Sequence, residues 1–437
     1  MVLEQDNRKG IKLTIPASPS LLPVATAFIE KSAQTLGLEE KEALMLTLAG
    51  EEIFLHLCQE AAETEVAIHC VGRGYYVQTD FNIPAENLNL RAFNFSTPIK
   101  PEEETSLEDL GLVLAARSVD RFQIWEEKGQ GLVLRLVKEK KYPALDPFSS
   151  LTAKPLSTVE IRPPNQDELK RFAQLGYSYY SAYVLPPFFR YPGKVVDMAA
   201  EGEFKSVVAV DPQGYIGGGI LWYELGLKTM ACSGPYLFNQ PKDSPLADAL
   251  IESVLKDIAR TSALGLLSQY PTEDLPLKYF EPLGSFFFFP EDGSPLSFTA
   301  YFRHLQPDDG SVVWSHSLLE PFLRKEYQRM VLPREIRPVT DFGERKNPYS
   351  VLSTKFDRDR ALVTLEPMRP GTDQEENLSN HLHLLRKEGW RNISFRMDLA
   401  KSWQVEFTPA LLNNRFAPRV LLPYAGQGDM VIFQAET

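Results

Sequence analysis

The stretch from Leu46 to Ala61 carries an acid and a histidine on one side of a predicted helix. Glu52 and His56 are four residues apart, a spacing that makes two side chains neighbours on a helix surface. A carboxylate can act as a general base and an imidazole as a metal ligand, so the pair could serve a nucleotide-handling site. The alternative is that His56 is an ordinary histidine on the helix face.

The composition is typical of a water-soluble protein with several domains. The chain has 437 residues, of which 43% are hydrophobic and 24% are charged. Its formal net charge of -12 repels phosphate backbones, so we expect no nucleic-acid partner. No window of about 18 apolar residues occurs, which predicts no transmembrane helix and no membrane partner.

The cysteines and the N-terminus predict a cytoplasmic protein. The three cysteines, Cys58, Cys70 and Cys232, are far apart and lie in apolar surroundings. This distribution fits a reducing compartment rather than a disulfide framework. The first residues contain no apolar core segment, so we expect no signal peptide.

A segment rich in proline, serine and threonine divides the chain. Residues 143–156 have this linker composition, which separates a first domain over residues 1–142 from the rest. We divide the remainder into two units, over residues 157–292 and 293–437, that could be copies of one α/β unit. The expected fold class is α+β, with an N-terminal α/β sandwich followed by two α/β units with mixed sheets.

The predicted elements of the first domain follow a recognisable order. A strand, two helices, a strand pair, an irregular acidic stretch, a helix and a hairpin span about residues 10–140. This order resembles the GHKL (Bergerat-fold) ATPases, and within them the small anti-sigma-factor serine kinases. The resemblance implies binding of ATP with Mg²⁺. It places Glu52 at the general-base position and His56 at the position of a magnesium-binding asparagine. A neutral imidazole is a poor ligand for Mg²⁺, which prefers oxygen.

Two further motifs of that family are altered in this sequence. The resemblance places Asp80 at the adenine-binding aspartate, and Asn82 replaces the glycine that follows it in the family. Gly111 matches the last glycine of a phosphate-binding loop, and Asp109 replaces its first glycine. A carboxylate there repels a triphosphate. These departures predict reduced or absent kinase activity.

Residues 157–437 resemble the GNAT acyltransferases, possibly in tandem. The segment from Gly234 through the helix that follows is similar to the strand, loop and helix that hold acetyl-CoA in that family. The resemblance therefore implies acyl-CoA-binding positions at Gly234, Lys242 and Ser244. The loop lacks the family's glycines and contains Asp243, so a standard pyrophosphate cradle is not expected. Phe280 occupies the position of the catalytic tyrosine, which leaves Tyr279 as the candidate acid.

Other patterns allow two interpretations each. The aromatic stretch from Tyr177 to Pro192 could line the core or form a peptide or acyl-acceptor groove. The residues from Gly426 to Asp429 fit a hairpin turn or a phosphate loop. His381 and His383 are two residues apart on a predicted helix, so they point to different sides and cannot chelate one metal ion.

We therefore interpret the chain as a cytoplasmic regulatory protein. The kinase-like module would bind a protein partner, for which a sigma factor or an anti-anti-sigma factor is the type expected. The GNAT-like region would bind a small-molecule ligand or a partner. The alternatives are an N-acyltransferase that uses acetyl-CoA and an ATP-dependent serine/threonine protein kinase of the anti-sigma type.

Overall fold

The N-terminal domain is a five-stranded antiparallel sheet with two long helices on one face. The computed structural model describes residues 10–84, 88–96, 111–113, 115–127, 131–146, 151–241, 244–290, 294–340, 343 and 347–436. The strand order is β1-β2-β3-β5-β4. The elements are β1 (Gly10–Pro16), α1 (Leu22–Thr35), α2 (Glu40–Glu60), β2 (Glu65–Gly72), β3 (Tyr76–Ile83), β4 (Arg121–Glu127) and β5 (Gly131–Glu139). Residues 111–113 and 115–118 are helical.

Helix α2 buries both small and large apolar residues, whereas two of its leucines face away from the core. Ala43, Ala49 and Gly50 lie against α1 and the sheet, and a Cβ on Gly50 would come within 2.5 Å of the Ile29 side chain. Leu44 and Leu48 lie on the opposite side and are 53% and 48% exposed. The helix predicted around Glu52 and His56 is present, and Leu44 and Leu48 on its outer side face solvent.

The central sheet has seven strands in the order β11-β12-β10-β9-β8-β7-β6. Its strands are β6 (Glu160–Arg162), β7 (Lys205–Val210), β8 (Ile216–Glu224), β9 (Thr229–Leu237), β10 (Gly265–Ser268), β11 (Glu281–Phe288) and β12 (Leu296–His304). Its helices are α3 (Gln166–Tyr179), α4 (Pro192–Ala200) and α5 (Leu246–Ile258). Strand β12 pairs with both β10 and β11. The break expected between residues 292 and 293 therefore falls inside a hairpin, and β12 belongs to the first unit.

The last part of the chain forms a parallel strand pair and a five-stranded mixed sheet. The pair consists of β13 (Ser311–Ser315) and β14 (Arg334–Pro338), with α6 (Glu320–Met330) between them. The sheet order is β15-β16-β17-β19-β18. Its elements are β15 (Val351–Asp357), β16 (Leu362–Arg369), α7 (Gln374–Lys387), β17 (Asn392–Asp398), α8 (Ser402–Val405), α9 (Thr408–Asn413), β18 (Phe416–Leu422) and β19 (Met430–Ala435).

Five strands of the central sheet have the same arrangement as the whole C-terminal sheet. In β8-β9-β10-β12-β11 and in β15-β16-β17-β19-β18, one parallel pair lies second and the other neighbours are antiparallel. The strand pairs that precede these five strands in the chain differ between the two units. Strands β6 and β7 are antiparallel, whereas β13 and β14 are parallel. The C-terminal sheet thus repeats the arrangement of the last five strands of the central sheet, although the sequence shows no strict repeat.

The N-terminal domain is joined to the C-terminal sheet by a buried asparagine. Asn94 Nδ2 donates to the Ser350 carbonyl oxygen at 2.8 Å, and the Leu352 N–H donates to Asn94 Oδ1 at 2.9 Å. Val351 packs into the hydrophobic core of the N-terminal domain. In the part of the chain that the structure describes, no helix is both long and apolar enough to cross a membrane.

The segment with linker composition packs against the first α/β unit in its described parts. The Leu145 N–H donates to the Arg190 carbonyl oxygen at 2.8 Å. The Ala153 N–H donates to the Tyr179 hydroxyl at 3.0 Å, and Ala153 is buried. These contacts hold residues 151–156 along the unit that they precede.

Candidate functional site

The structure brings Glu52 and Gly111 together. A Cβ placed on Gly111 would lie 1.9 Å from Glu52 Oε2, so the carboxylate rests directly on this glycine. Partial burial, with a smaller contribution from Glu51, raises the pKa of the Glu52 carboxyl group. The candidate base is therefore next to the helical residues 111–113. Asp109 lies outside the described residues.

His56 is engaged by the backbone. Its Nε2 lies 2.8 Å from the carbonyl oxygen of Asn89. An imidazole nitrogen that donates to a carbonyl has no lone pair left for a metal ion. The contact favours the interpretation of His56 as a helix-face residue that holds the chain after β3.

Asp80 and Asn82 lie on the wrong face of the sheet for a site shared with Glu52. Side chains alternate along β3, and Phe81 points toward Gly50 of α2. Asp80 and Asn82 therefore point away from α2. This arrangement contradicts the adenine-binding role that the resemblance implied for them, because the sequence motif did not determine which face the strand presents.

Asp80 instead forms a buried ion pair within the sheet. Arg135 Nε and Nη2 lie 2.7 Å from Asp80 Oδ1 and Oδ2, respectively. Gln78 Nε2 donates to Asp80 Oδ2 at 2.8 Å, and the Arg135 guanidinium lies 4.9 Å from the Trp125 ring centre. These contacts occupy the carboxylate, so the residues present do not fit an adenine site here.

The ion pair predicts a measurable stability loss on substitution. Asp80→Asn removes the charge opposite Arg135, and we expect the free energy of unfolding to fall by about 1 to 2 kcal/mol. Urea denaturation followed by circular dichroism measures the change. Asp167→Asn is the control, because Asp167 is 94% exposed and should cost less than about 0.5 kcal/mol. An Asp80→Asn effect as small as the control would contradict the structural role.

In the first unit, side chains bridge the gap between the two parallel strands. Pairing of β9 with β10 ends at Ala231 and Leu267. Beyond that point, Thr272 Oγ1 donates to the Pro235 carbonyl oxygen at 2.6 Å. Gly234, an expected acyl-CoA position, has a φ of +101°, and a Cβ there would press on the Tyr236 ring. Pro235 has no N–H to offer a ligand.

Tyr180 and Asp274 also fill the gap between β9 and β10. The Leu237 N–H donates to the Tyr180 hydroxyl at 2.5 Å, and the same hydroxyl contacts the Asp274 carboxyl group. Burial raises the pKa of both Tyr180 and Asp274. Neither Tyr180 nor Asp274 is among the site residues predicted from the sequence. Tyr180 was noticed only as part of an aromatic stretch, and its ring packs at 5.0 Å from that of Tyr236.

The start of α5 is also occupied by protein groups. Ser244 Oγ accepts from the Leu246 N–H at 3.3 Å, so its hydroxyl is used by the helix itself. Asn239 Nδ2 donates to the Ala153 carbonyl oxygen at 3.0 Å, and Gln240 Oε1 accepts from the Leu156 N–H at 3.2 Å. The preceding segment thus contacts the loop where a pyrophosphate would be expected. Lys242 lies outside the described residues.

Tyr279 does not face the gap between β9 and β10. Its hydroxyl donates to Glu252 Oε1 of α5 at 3.1 Å on the exposed side of the helix. A general acid must reach the reacting group directly or through one water. The structure therefore does not place Tyr279 as an acid for this cleft.

The second unit has a bridge of the same kind. Pairing of β16 with β17 ends at Leu365 and Phe395. Gln404 Nε2 donates to the Pro367 carbonyl oxygen at 3.1 Å, and the Asp398 N–H donates to Gln404 Oε1 at 2.8 Å. Glu375 and Glu376 lie in the first turn of α7, where they disfavour a bound anion. Neither unit fits acetyl-CoA with these side chains in place.

The turn from Gly426 to Asp429 holds a carboxylate of the protein itself. It connects β18 to β19, so the hairpin interpretation is correct. The N–H groups of Gln427 and Gly428 donate to the Asp398 carboxylate at 2.8 and 3.1 Å. The Ala400 N–H adds a third donor at 3.0 Å. An internal anion therefore fills the position that a phosphate would need.

The described residues contain no group of three or more metal-ligating side chains. His381 is fully buried, whereas His383 is exposed on the other side of α7. The two imidazoles cannot meet at one ion, as their spacing indicated.

Comparisons with solved structures give acetyltransferases of the GNAT family. One from Staphylococcus aureus Mu50 is 14% identical, with 34% of this chain and 100% of that chain covered at a TM-score of 0.25. A putative acetyltransferase from Acinetobacter baylyi ADP1 is 14% identical, with 35% and 98% covered at 0.29. A phosphinothricin acetyltransferase from Sinorhizobium meliloti, in complex with acetyl-CoA, is 15% identical, with 35% and 94% covered at 0.28. No family model and no curated protein matches the sequence.

Proposed function

We propose that this chain is a regulatory protein that acts by binding a partner protein, without acyl transfer or phosphoryl transfer of its own. The N-terminal domain would be a kinase-like module that retains the arrangement of Glu52 and Gly111. The two α/β units would serve as the rigid body on which this module is held. A sigma factor or an anti-anti-sigma factor is the partner type that the kinase resemblance suggests.

The observation that carries the proposal is the closure of both acyl-CoA clefts. Thr272 and Tyr180 span the gap in the first unit, and Gln404 spans it in the second. Each bridge forms hydrogen bonds with backbone groups of the parallel strands, and bound acetyl-CoA would need the same backbone groups as hydrogen-bond partners. Displacing a bridge leaves buried polar groups unpaired, at a cost of about 1 to 3 kcal/mol for each group.

An exposed apolar surface on the N-terminal domain supports partner binding. Leu44 and Leu48 lie one turn apart on α2 and are 53% and 48% exposed. Val24 on the adjacent helix α1 is 46% exposed. We name these three residues the α1/α2 patch. Exposed large apolar side chains on these two helices favour a contact site for another protein at this surface.

Calorimetric titration tests whether acetyl-CoA binds to the chain and whether Mg-ATP binds at the Glu52 position. We expect no heat of binding from acetyl-CoA up to about 1 mM, which corresponds to a binding free energy weaker than about -4 kcal/mol, and no Mg-ATP binding that Glu52→Gln removes. Sub-millimolar binding of acetyl-CoA would instead support the N-acyltransferase alternative. Sub-millimolar binding of Mg-ATP that Glu52→Gln abolishes would support the kinase alternative.

A differential capture experiment tests the partner. Proteins that co-purify with the full chain are compared with those retained by Leu44→Glu/Leu48→Glu. The matched control is Leu277→Glu, because Leu277 is 53% exposed but lies outside the α1/α2 patch. A specific partner should be lost only with the first variant. A partner retained equally by all three proteins would assign the contact to another surface.

A further inference from the structure

A wedge-shaped cavity of about 720 Å³ lies between the N-terminal domain and the C-terminal sheet. One wall is formed by the start of β4 and the helical residues before it, and the other by β15 and Trp390. Both β4 and β15 are outer strands of their sheets. At one end β4 also approaches β16, the neighbour of β15, where Arg369 Nη2 lies 3.7 Å from Glu126 Oε1. At the other end, Arg121 and Phe356 line the open cavity.

Three aromatic rings form a continuous surface in this cavity. The ring centres of Phe95 and Phe356 are 5.1 Å apart, and those of Phe356 and Trp390 are 5.2 Å apart. Phe356 is 41% exposed, although it is large and apolar. Rings that line a cavity and remain accessible can stack against a planar ligand.

The same cavity contains arginines without an acidic partner. Arg117 and Arg358 line it, and neither forms an ion pair with any residue that the structure describes. Arg117 rests 4.4 Å from the Phe95 ring centre and donates to the Phe95 carbonyl oxygen at 3.3 Å. Two positive charges therefore lie at one cavity of a chain whose formal net charge is -12. They would attract an anion.

The other charged groups of the lining are largely neutralised. Lys355 Nζ lies 2.6 Å from Glu366 Oε2, and Asp120 Oδ2 lies 3.3 Å from Lys138 Nζ. Glu388 is the carboxylate that remains beside Trp390. Thr354 also lines the cavity, and its Oγ1 is buried without a hydrogen-bond partner among the described residues.

We propose that this cavity binds a small anion that carries a planar ring, of the mononucleotide class. The ring would stack on Phe356 and Trp390, and the phosphate would be held by Arg117 and Arg358. The volume suits a ligand of this size. The site is distinct from the Glu52 position and does not depend on the proposed partner binding. Its walls come from both parts of the chain, so a bound ligand would favour their association.

Titration of the full chain with AMP, adenosine and ribose 5-phosphate tests the proposal. We expect sub-millimolar binding of AMP, and binding of adenosine and of ribose 5-phosphate at least about tenfold weaker. Arg117→Gln/Arg358→Gln should weaken AMP binding about tenfold or more and leave adenosine binding unchanged. Trp390→Leu/Phe356→Leu should weaken the binding of AMP and adenosine alike.

The controls separate a lost site from altered charge or folding. Arg171→Gln/Arg260→Gln removes the same charge at exposed positions outside the cavity and should leave AMP affinity unchanged. Glu52→Gln should also leave it unchanged. Circular dichroism establishes that each variant is folded. No AMP binding at about 1 mM, or AMP binding that the cavity arginine variant leaves unchanged, would overturn the proposal.

Discussion

Arg334→Met is expected to lower the free energy of unfolding by about 3 to 5 kcal/mol, because it leaves two buried carboxylates without their counter-ion. The Arg334 side chain is fully buried, and its Nε lies 2.6 Å from Asp429 Oδ2. Its Nη1 lies 2.7 Å from Asp308 Oδ2. The Tyr424 hydroxyl donates to the other oxygen of Asp308 at 2.7 Å. Urea denaturation followed by tryptophan fluorescence measures the loss.

The matched control for this prediction lies on the neighbouring helix. Arg324 pairs with Glu320 at 2.6 Å on α6, where the arginine side chain is 65% exposed. Arg324→Met should therefore cost less than about 1 kcal/mol. Adding Asp429→Asn to Arg334→Met should recover part of the lost stability, since one uncompensated charge is removed. Equal losses for the two arginine variants would contradict the buried network.

His381 is expected to make the protein less stable as the pH falls from about 6.5 to 4. Its Nδ1 lies 2.8 Å from Ser96 Oγ and 2.9 Å from the Asn377 carbonyl oxygen, and its Nε2 is buried without a partner among the described residues. Complete burial lowers the pKa of His381 from 6.5 to about 4. The unfolded chain therefore takes up a proton in this window and the folded chain does not. The resulting loss is about 2 kcal/mol at pH 5 and about 3 kcal/mol at pH 4.

The measurement compares the pH dependence of unfolding in two variants. His381→Gln should flatten the decline between about pH 7 and pH 4, even if it lowers stability at neutral pH. His383→Gln should leave the decline unchanged, because His383 is exposed. A parallel decline in wild type and His381→Gln would assign the effect to other groups.

Local patterns predicted the elements that neighbouring residues determine. The turn between β7 and β8 follows from its Asp-Pro-Gln-Gly sequence, and Asp211 Oδ1 accepts from the Gln213 and Tyr215 N–H groups at 3.0 and 2.8 Å. The phenylalanine run ending at Phe289 consists of residues that favour a strand, and most of it lies in β11. The mixed α/β character of the chain was predicted correctly for the same reason.

The candidate sites depended on information that a short motif does not contain. Alternation along β3 places Asp80 with Gln78 and Asn82 on a polar face, opposite Val77 and Phe81, but the three-residue motif by itself does not include this information. Thr272 and Gln404 bridge strands through contacts 37 residues away along the chain. No periodic pattern marks such residues. The cavity with Arg117 and Arg358 arises only because segments more than 200 residues apart meet.

The contact between Asn94 and Ser350 spans 256 residues of sequence. During synthesis, the N-terminal domain therefore exists without Val351, a residue of its own hydrophobic core, until most of the chain has been made. The apolar surface that Val351 covers in the folded protein stays exposed until residue 351 has been synthesised. Chains that end before residue 350 would keep this surface uncovered permanently, which makes them targets for chaperones and proteases. Completion of the N-terminal core therefore depends on the last unit.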